Sequence, residues 1–326
     1  MKTVAFEKKA RNVFFHILTQ CNLSCRHCYI NPEQHGNNML SIEIINKWLD
    51  ELYTENTNVI FLGGEPTLHP HLSLSVKHAK SLGYTSVTID TNGYLFHDIL
   101  DKVNPNDVNF FSFSLDGSTP EINDPIRGHG SYENCIKGVK KAKNKKFCTS
   151  MIYTVSRLNL NDLKNMPQLL MDLNIDRFFI QVIGIRGKSA KDSKKLQLNK
   201  QEWTSVIPEI ARKIAKLGIT VTYPKVFLEA NEQFECGAKV SENFFIFPNG
   251  RVYQCPLCED FPLHSLNFVN NKLIPTKKIN ESQLFDLGIQ EGCVMNKLIQ
   301  PDNIIYNDQG NPEYKIACCL LKETVS

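Results

Sequence analysis

The fold is decided by residues 12–29, which read NVFFHILTQCNLSCRHCY. The run Val13–Leu18 is apolar and rich in β-branched and aromatic residues, which predicts a buried strand. Three cysteines follow it in one short loop, at Cys21, Cys25 and Cys28. Because barrels of parallel strands keep their active sites at the carboxyl ends of the strands, we expect the three thiols to lie in such a site.

The close spacing of these three cysteines suits an iron–sulfur cluster. Three thiolates on one loop bind three irons of a cubane and leave the fourth iron without a protein ligand. A zinc knuckle is the alternative, but it generally needs four nitrogen or sulfur ligands, and His27 lies at an awkward spacing between two of the thiols. A disulfide is disfavoured because a reducing compartment keeps thiols reduced. The pattern therefore indicates a cluster with one open coordination position.

Apolar runs, turns and helix-period stretches then alternate along the chain, which is typical of parallel βα units. Strands are predicted at Val13–Leu18, Asn58–Leu62, Ser86–Asp90, Val108–Ser114, Cys148–Val155 and Arg177–Val182. Helices are predicted at Ser41–Glu55, with Ser41 as N-cap, and at His71–Leu82, Phe96–Val103, Tyr132–Ala142, Leu160–Leu173 and Gln201–Leu217. Since a closed barrel needs eight units, these six predict an α/β fold with a partial (β/α)6 TIM-type barrel, open along one side.

The pattern changes after Tyr223-Pro224 to short strands, turns and cysteines. A length of 326 residues suits one barrel with a smaller appended domain. We therefore predict a barrel domain over residues 1–225 and a small cysteine-rich domain over residues 226–326. The eleven cysteines fall mainly into an early and a late group, which predicts two separate metal sites.

The motif CxxxCxxC after a first strand resembles that of the radical S-adenosylmethionine (SAM) superfamily. Further elements of that family follow the later strands in the expected order, and the resemblance spans residues 12 to about 183. These elements are Gly63-Gly64-Glu65-Pro66, Thr91-Asn92-Gly93, Ser114-Leu115-Asp116-Gly117 and Ile126-Arg127-Gly128. The glycines at 63 and 64 are expected to let the backbone approach a ligand closely.

The resemblance implies a [4Fe–4S] cluster on Cys21, Cys25 and Cys28, whose fourth iron is chelated by the amino and carboxylate groups of SAM. The cofactor-binding residues that it implies are Gly64 and Glu65 at the SAM amino group, Asn92 in the pocket lining, Ser114 and Arg127 at the carboxylate or ribose, and the main chain of His27 at the adenine. Two alternatives remain open at this point. One is that residues 63–64 form an ordinary glycine turn, and the other is that Arg127 is a surface ion-pair residue.

A second set of cysteines follows in the C-terminal part. The turn Pro248-Asn249-Gly250 between Phe244–Phe247 and Arg251–Tyr253 predicts a hairpin that brings Cys236 and Cys255 towards one another. This stretch resembles the auxiliary-cluster domains called SPASM and, in shorter form, twitch. The longer cysteine array of SPASM is missing.

The resemblance to the shorter form implies one auxiliary [4Fe–4S] cluster. Its ligands would be Cys236, Cys255 and Cys258, with a fourth from Cys318 or Cys319, while Cys293 is spare or a substitute. A zinc ribbon is the alternative, since four thiolates suit zinc equally well. Cys135 and Cys148 fall on a predicted helix and strand and are interpreted as buried small apolar side chains.

The resemblance implies an enzyme that reductively cleaves SAM to a 5′-deoxyadenosyl radical, which takes a hydrogen from the substrate. Relatives with an auxiliary domain often modify peptides or proteins, so the resemblance favours that reaction class for this chain. The alternatives are a small-molecule oxidoreductase in sugar-alcohol, tetrapyrrole or cofactor chemistry, and a non-catalytic iron–sulfur protein. An electron donor such as flavodoxin or ferredoxin is the expected partner.

Bulk properties limit the other partners. A net charge of +3 does not favour nucleic acid, which selects strongly basic faces. Residues 1–10 lack the apolar core of a secretory signal and no window is apolar enough for a membrane span, so we predict a cytoplasmic protein that binds no membrane. The segment Arg186–Lys200 is polar and lysine-rich and is interpreted as a solvated loop, with contact to an anionic substrate as the alternative.

Overall fold

A computed structural model describes residues 3–191 and 196–326 of the chain. Its centre is a parallel sheet in sequence order: β1 (Arg11–His16), β2 (Thr57–Leu62), β3 (Ser86–Thr91), β4 (Phe110–Ser114), β5 (Thr149–Val155), β6 (Arg177–Val182) and β7 (Thr220–Pro224). The α/β fold class, with a partial TIM-type barrel, is confirmed. The six predicted strands lie within two residues of their expected bounds. The parallel strand β7 was not predicted, because it is short and alternates buried with half-buried residues instead of being apolar throughout.

Helices cover the sheet between consecutive strands. They are α1 (Pro32–His35), α2 (Ile42–Leu52), α3 (Leu72–Leu82), α4 (Ile99–Lys102), α5 (Pro120–Arg127), α6 (Ser131–Asn144), α7 (Met166–Asp172) and α8 (Lys200–Ala215). Helix α2 begins as predicted, because the Ser41 hydroxyl accepts a hydrogen bond from the Ile44 amide at 3.4 Å. Its buried face carries Ile45, Trp48, Leu49 and Leu52.

Two predicted helices are shorter than expected. The helix predicted at Phe96–Val103 is regular only over α4, because His97 and Asp98 have positive φ angles of 55° and 49°. The helix predicted at Leu160–Leu173 starts as a 3₁₀ turn and becomes regular only at α7, where Pro167 occupies the first turn. Proline suits that position because its missing N–H has no partner there.

The C-terminal part extends the same sheet at both edges. Its elements are β8 (Phe227–Glu229), α9 (Gly237–Val240), β9 (Glu242–Ile246), β10 (Arg251–Tyr253), β11 (Leu266–Val269), β12 (Lys272–Pro275), α10 (Val294–Ile299), β13 (Tyr314–Ile316) and β14 (Lys322–Val325). Strand β9 pairs in parallel with β1, and β14 pairs antiparallel with β7. The predicted hairpin is confirmed, since β9 and β10 pair antiparallel around Gly250. The domain division at residue 225 stays a prediction, because the sheet runs across it.

Two groups of buried side chains form the core. The larger lies between the sheet and its helices, with fully buried residues such as Phe15, Phe61 and Phe113. The smaller surrounds the late cysteines and includes Phe247 and Tyr253. In the part of the chain that the structure describes, no helix is long and apolar enough to cross a membrane.

Candidate active site

The loop after β1 carries three free thiols. The Cys25 thiol donates a hydrogen bond to the Arg127 carbonyl at 3.6 Å, and the Cys28 amide donates to the Cys25 carbonyl at 3.3 Å. Burial raises the pKa of Cys21 to about 11, with the Glu65 carboxylate and the neighbouring thiols acting in the same direction. Burial also raises the pKa of Cys25. Metal binding to Cys21 and Cys25 therefore requires these two thiols to release their protons.

The glycines at 63 and 64 fit against this loop. A Cβ on Gly64 would lie 2.1 Å from the Gln20 carbonyl oxygen, and one on Gly63 would lie 2.6 Å from the Leu18 carbonyl oxygen. The Gly64 amide donates a hydrogen bond to the Leu18 carbonyl at 3.1 Å, and the Glu65 amide donates one to the Gln20 carbonyl at 2.9 Å. The sequence predicted that the backbone approaches a ligand closely at these glycines. In the structure, the close approach is between two segments of this chain.

Replacement of Gly64 tests this contact. We expect Gly64→Ala to lower the free energy of unfolding by about 1–3 kcal/mol, because the added carbon displaces the backbone of the cysteine loop. The iron content after anaerobic reconstitution should fall as well. Urea denaturation and iron analysis measure the two effects. Gly288→Ala is the matched control, since a Cβ there meets nothing within 4 Å; equal stability of the two variants would contradict the contact.

Glu65 is a buried carboxylate that joins two loops. It accepts hydrogen bonds from the Thr67 hydroxyl at 2.6 Å, the Thr67 amide at 3.1 Å, the Thr91 hydroxyl at 2.9 Å and the Asn92 amide at 2.7 Å. Burial raises the pKa of Glu65, and these donors act against that shift. The Asn92 side chain in turn donates to the Asn22 side chain at 2.8 Å. Glu65 therefore holds the Thr91-Asn92-Gly93 turn against the cysteine loop, and its contact with SAM stays a prediction.

Asp116 pairs with two of the predicted binding residues. Its side chain is fully buried, and its carboxylate lies 2.6 Å from Nη1 of Arg127 and 3.3 Å from Nε2 of His27. It also accepts a hydrogen bond from the Thr154 amide at 2.7 Å. The Arg127 side chain is only 11% exposed, so the alternative of a surface ion pair is wrong. Asp116 lies within one of the predicted motifs, but no role was predicted for it; its place between Ser114 and Arg127 in the chain is the signal that indicates one.

A cavity of about 330 Å³ brings the predicted residues together. Its lining includes every predicted cofactor-binding residue and the three thiols of the early group: Cys21, Cys25, His27, Cys28, Gly64, Glu65, Asn92, Ser114 and Arg127. Two buried nitrogens, Nδ1 of His27 and Nε of Arg127, have no hydrogen-bond partner among the described residues. Since buried polar atoms are normally satisfied, these two nitrogens fit a polar ligand such as SAM beside the thiols.

One member of the second set of cysteines reaches this cavity. Cys319 lines it, while Cys258 and Cys318 are buried in the smaller core group. The Cys318 sulfur accepts a hydrogen bond from the Gly237 amide at 3.3 Å. Burial raises the pKa of Cys293 to about 12, and nearby Cys255, Cys318 and Cys236 act in the same direction. Cys293, expected to be spare or a substitute, therefore lies among the predicted ligands.

A buried carboxylate organises this second set. Glu281 accepts hydrogen bonds from the amides of Gln254 at 2.6 Å and Cys255 at 3.0 Å. Sequence reasoning missed Glu281, since no motif marks it. Across residues 3–191 and 196–326, no three His, Cys, Asp or Glu side chains converge as the ligands of one metal ion do.

Arg186 joins the two parts of the chain beside the cavity. Its guanidinium is paired with the buried Glu259 and lies 4.5 Å from the centroid of the Tyr29 ring. The expectation of a solvated loop is therefore wrong at Arg186, which is 18% exposed. Lys194 and Lys195, which belong to the same predicted loop, lie outside the described residues.

Comparison with known proteins identifies the class that this fold and site define. Residues 16–170 match the Radical SAM superfamily, so this part of the chain is a Radical SAM domain. A radical SAM enzyme of this class carries a [4Fe–4S] cluster and binds SAM, in agreement with the donors around the cavity.

Particular relatives and solved structures are similar to longer parts of the chain. Fe-coproporphyrin III synthase from Methanosarcina barkeri is 29% identical over 213 residues, which cover 63% of this chain and 53% of that protein. Mycofactocin maturase MftC from Mycobacterium ulcerans is 26% identical over 276 residues, covering 78% and 69%. Streptococcus suis SuiB bound to precursor peptide SuiA has a TM-score of 0.64 at 14% identity, covering 94% of this chain and 69% of that chain, which shows a shared fold. The chain spans about half the length of several curated relatives that it matches.

Proposed function

We propose that this chain reductively cleaves SAM and uses the resulting radical to modify a peptide or protein. The observation that carries the proposal is the shared cavity, because the three early cysteines and Cys319 of the late group all line it. When bound, a [4Fe–4S] cluster on Cys21, Cys25 and Cys28 would supply the electron that breaks the S–C5′ bond of SAM, and the 5′-deoxyadenosyl radical would take a hydrogen from the substrate.

In this proposal, residues of this chain hold SAM in place and keep water away from the radical. Asp116 holds Arg127 and His27 in place, and Arg127 has an unpaired Nε for an anionic group of SAM. Glu65 fixes the turn that carries Asn92 against the cysteine loop. Apolar side chains such as Phe14, Ile152 and Phe245 line the cavity and exclude water and competing hydrogen donors.

Two similarities favour a peptide or protein substrate. The match to a maturase covers 78% of the chain, so it extends beyond the 225 residues of the predicted barrel domain. SuiB, which shares the fold, was solved with a precursor peptide. A small-molecule substrate is the second candidate, because the similarity to Fe-coproporphyrin III synthase is higher in identity over a shorter part of the chain.

Transfer of deuterium distinguishes the two substrate classes. The reconstituted, reduced enzyme is incubated with SAM and either a deuterated peptide or a deuterated tetrapyrrole. Because the radical removes a hydrogen atom from its substrate, the true substrate class places deuterium in 5′-deoxyadenosine, which mass spectrometry detects. Deuterium from the tetrapyrrole alone would overturn the peptide assignment. An enzyme that forms no 5′-deoxyadenosine at all would overturn the enzymatic proposal.

The late cysteines are proposed to hold one auxiliary [4Fe–4S] cluster. Cys236, Cys255 and Cys258 remain the proposed ligands, with Cys318 or Cys319 as the fourth, and Cys293 becomes a further candidate because it lies among them. An electron donor of the flavodoxin or ferredoxin type remains the proposed redox partner.

Iron and sulfide analysis tests the auxiliary cluster. We expect a variant with Cys21, Cys25 and Cys28 changed to Ala to retain about four irons and about four sulfides per chain, because the late set binds its cluster independently. Adding Cys255→Ala and Cys258→Ala should remove them. Zinc without sulfide in the first variant would contradict the cluster and support a zinc ribbon.

A further inference from the structure

Lys322 places a cation in the wall of the cavity. It is the first residue of β14 and pairs with Pro224 of β7, so the C-terminal strand carries its side chain to the edge of the sheet. The side chain lines the cavity, and its Nζ lies 5.3 Å from the centroid of the Phe179 ring. A cation over an aromatic face is held in one orientation, since the ring attracts the charge.

The other large cations of this wall are already paired. Arg127 lies 2.6 Å from the Asp116 carboxylate, and Arg186 is paired with Glu259. Lys322, in contrast, forms no ion pair with any described residue. Burial lowers the pKa of Lys322, and the Cys319 sulfur and the Asp90 carboxyl act in the opposite direction. An ammonium in such surroundings is stabilised by an anion that enters from the cavity.

Asp90 supplies a carboxyl group to the lining of the same cavity. It lies near the end of β3, lines the cavity, and is stabilised by the Ser112 hydroxyl. Apolar side chains, among them Ile152, Val182 and Val226, also line the cavity. A ligand that places an acceptor at Lys322 and a donor at Asp90 would satisfy both groups, and its apolar part would face these side chains.

We propose that Lys322 is the anchor for a carboxylate of the substrate, and that Asp90 receives a neighbouring N–H or O–H of the same molecule. The inference rests on the proposed function, since it treats the cavity as the substrate site. Both proposed substrate classes carry carboxylates, as acidic residues of a peptide or as side chains of a tetrapyrrole. The anchor holds the substrate in the same cavity that the early thiols and Cys319 line.

Binding of matched acid and neutral probes to the reconstituted enzyme tests the anchor. One pair is N-acetyl-Phe-Glu-amide and N-acetyl-Phe-Gln-amide; the other is coproporphyrin III and its tetramethyl ester. We expect wild type to bind the acid of one pair at least about tenfold more tightly than its neutral counterpart, equivalent to about 1.4 kcal/mol. Calorimetry measures the peptides and fluorescence the porphyrins. The pair that shows the preference identifies the source of the carboxylate.

Substitutions assign the preference to Lys322. Lys322→Met should abolish it, Lys322→Arg should retain most of it, and Lys213→Met should leave it unchanged, because Lys213 lies on the outer surface paired with Glu209. A preference that persists in Lys322→Met, or wild type that shows none for either pair, would overturn the proposal. Cleavage of SAM by wild type is measured separately, so that a failure of the proposed function is distinguished from a failure of the anchor.

Discussion

Changing Cys21, Cys25 and Cys28 together to alanine should reduce formation of 5′-deoxyadenosine from SAM to the level of a blank without enzyme. The physical reason is that these thiols are the proposed ligands of the cluster that delivers the electron, and no other group around the cavity substitutes for it. Liquid chromatography with mass spectrometry measures the product after anaerobic incubation with dithionite.

A matched control uses a cysteine outside the cavity. Cys148 is a half-buried free thiol just before β5, and its change to alanine should preserve cleavage of SAM. Continued cleavage of SAM by the triple variant would contradict the assignment. Loss of cleavage in both variants would trace the effect to general destabilisation instead.

Removal of the Asp116 carboxylate should have the largest effect on stability. We expect Asp116→Ala to lower the free energy of unfolding by about 3–5 kcal/mol, because it leaves the guanidinium of Arg127 largely buried without its counter-charge. The Thr154 amide loses its acceptor in the same change. Urea denaturation followed by circular dichroism measures the difference.

Two further variants isolate the role of charge. Asp116→Asn keeps an acceptor for the Thr154 amide but not the charge, so its stability should fall between those of wild type and Asp116→Ala. Glu133→Ala breaks an exposed ion pair with Lys137 on α6 and should leave stability near that of wild type. Similar stability of Asp116→Ala and Glu133→Ala would show that the buried pair contributes little.

Local patterns predicted the parallel strands, because the period of apolar residues and the turn residues are properties of short segments. They also predicted the β9–β10 hairpin, because its turn residues lie within one short segment of the chain. Helix α4 shows where such reasoning fails, since the backbone at His97 and Asp98 adopts positive φ without glycine. Strand β7 was missed because its short, half-buried pattern resembles an exposed edge.

The candidate site likewise has features that local motifs predicted and features that only the folded chain shows. Every cofactor-binding residue that the motifs predicted lies in the cavity lining, since the motifs follow the strands in chain order. They did not reveal that Gly63 and Gly64 contact the cysteine loop, nor that Glu281 supports Cys255 from far along the chain. Such contacts depend on which backbone segments become neighbours after folding.

The sequence by itself therefore determined the α/β class, the cysteine loop at the end of β1 and the order of the binding motifs. Only the tertiary structure decided that β9 lies beside β1 and β14 beside β7, which brings Cys319 and Lys322 to the same cavity as Cys21. The physical reason is that strand period and turn chemistry are set within a few residues. The pairing of strands far apart in the chain is set by the burial and backbone hydrogen bonds of the whole sheet.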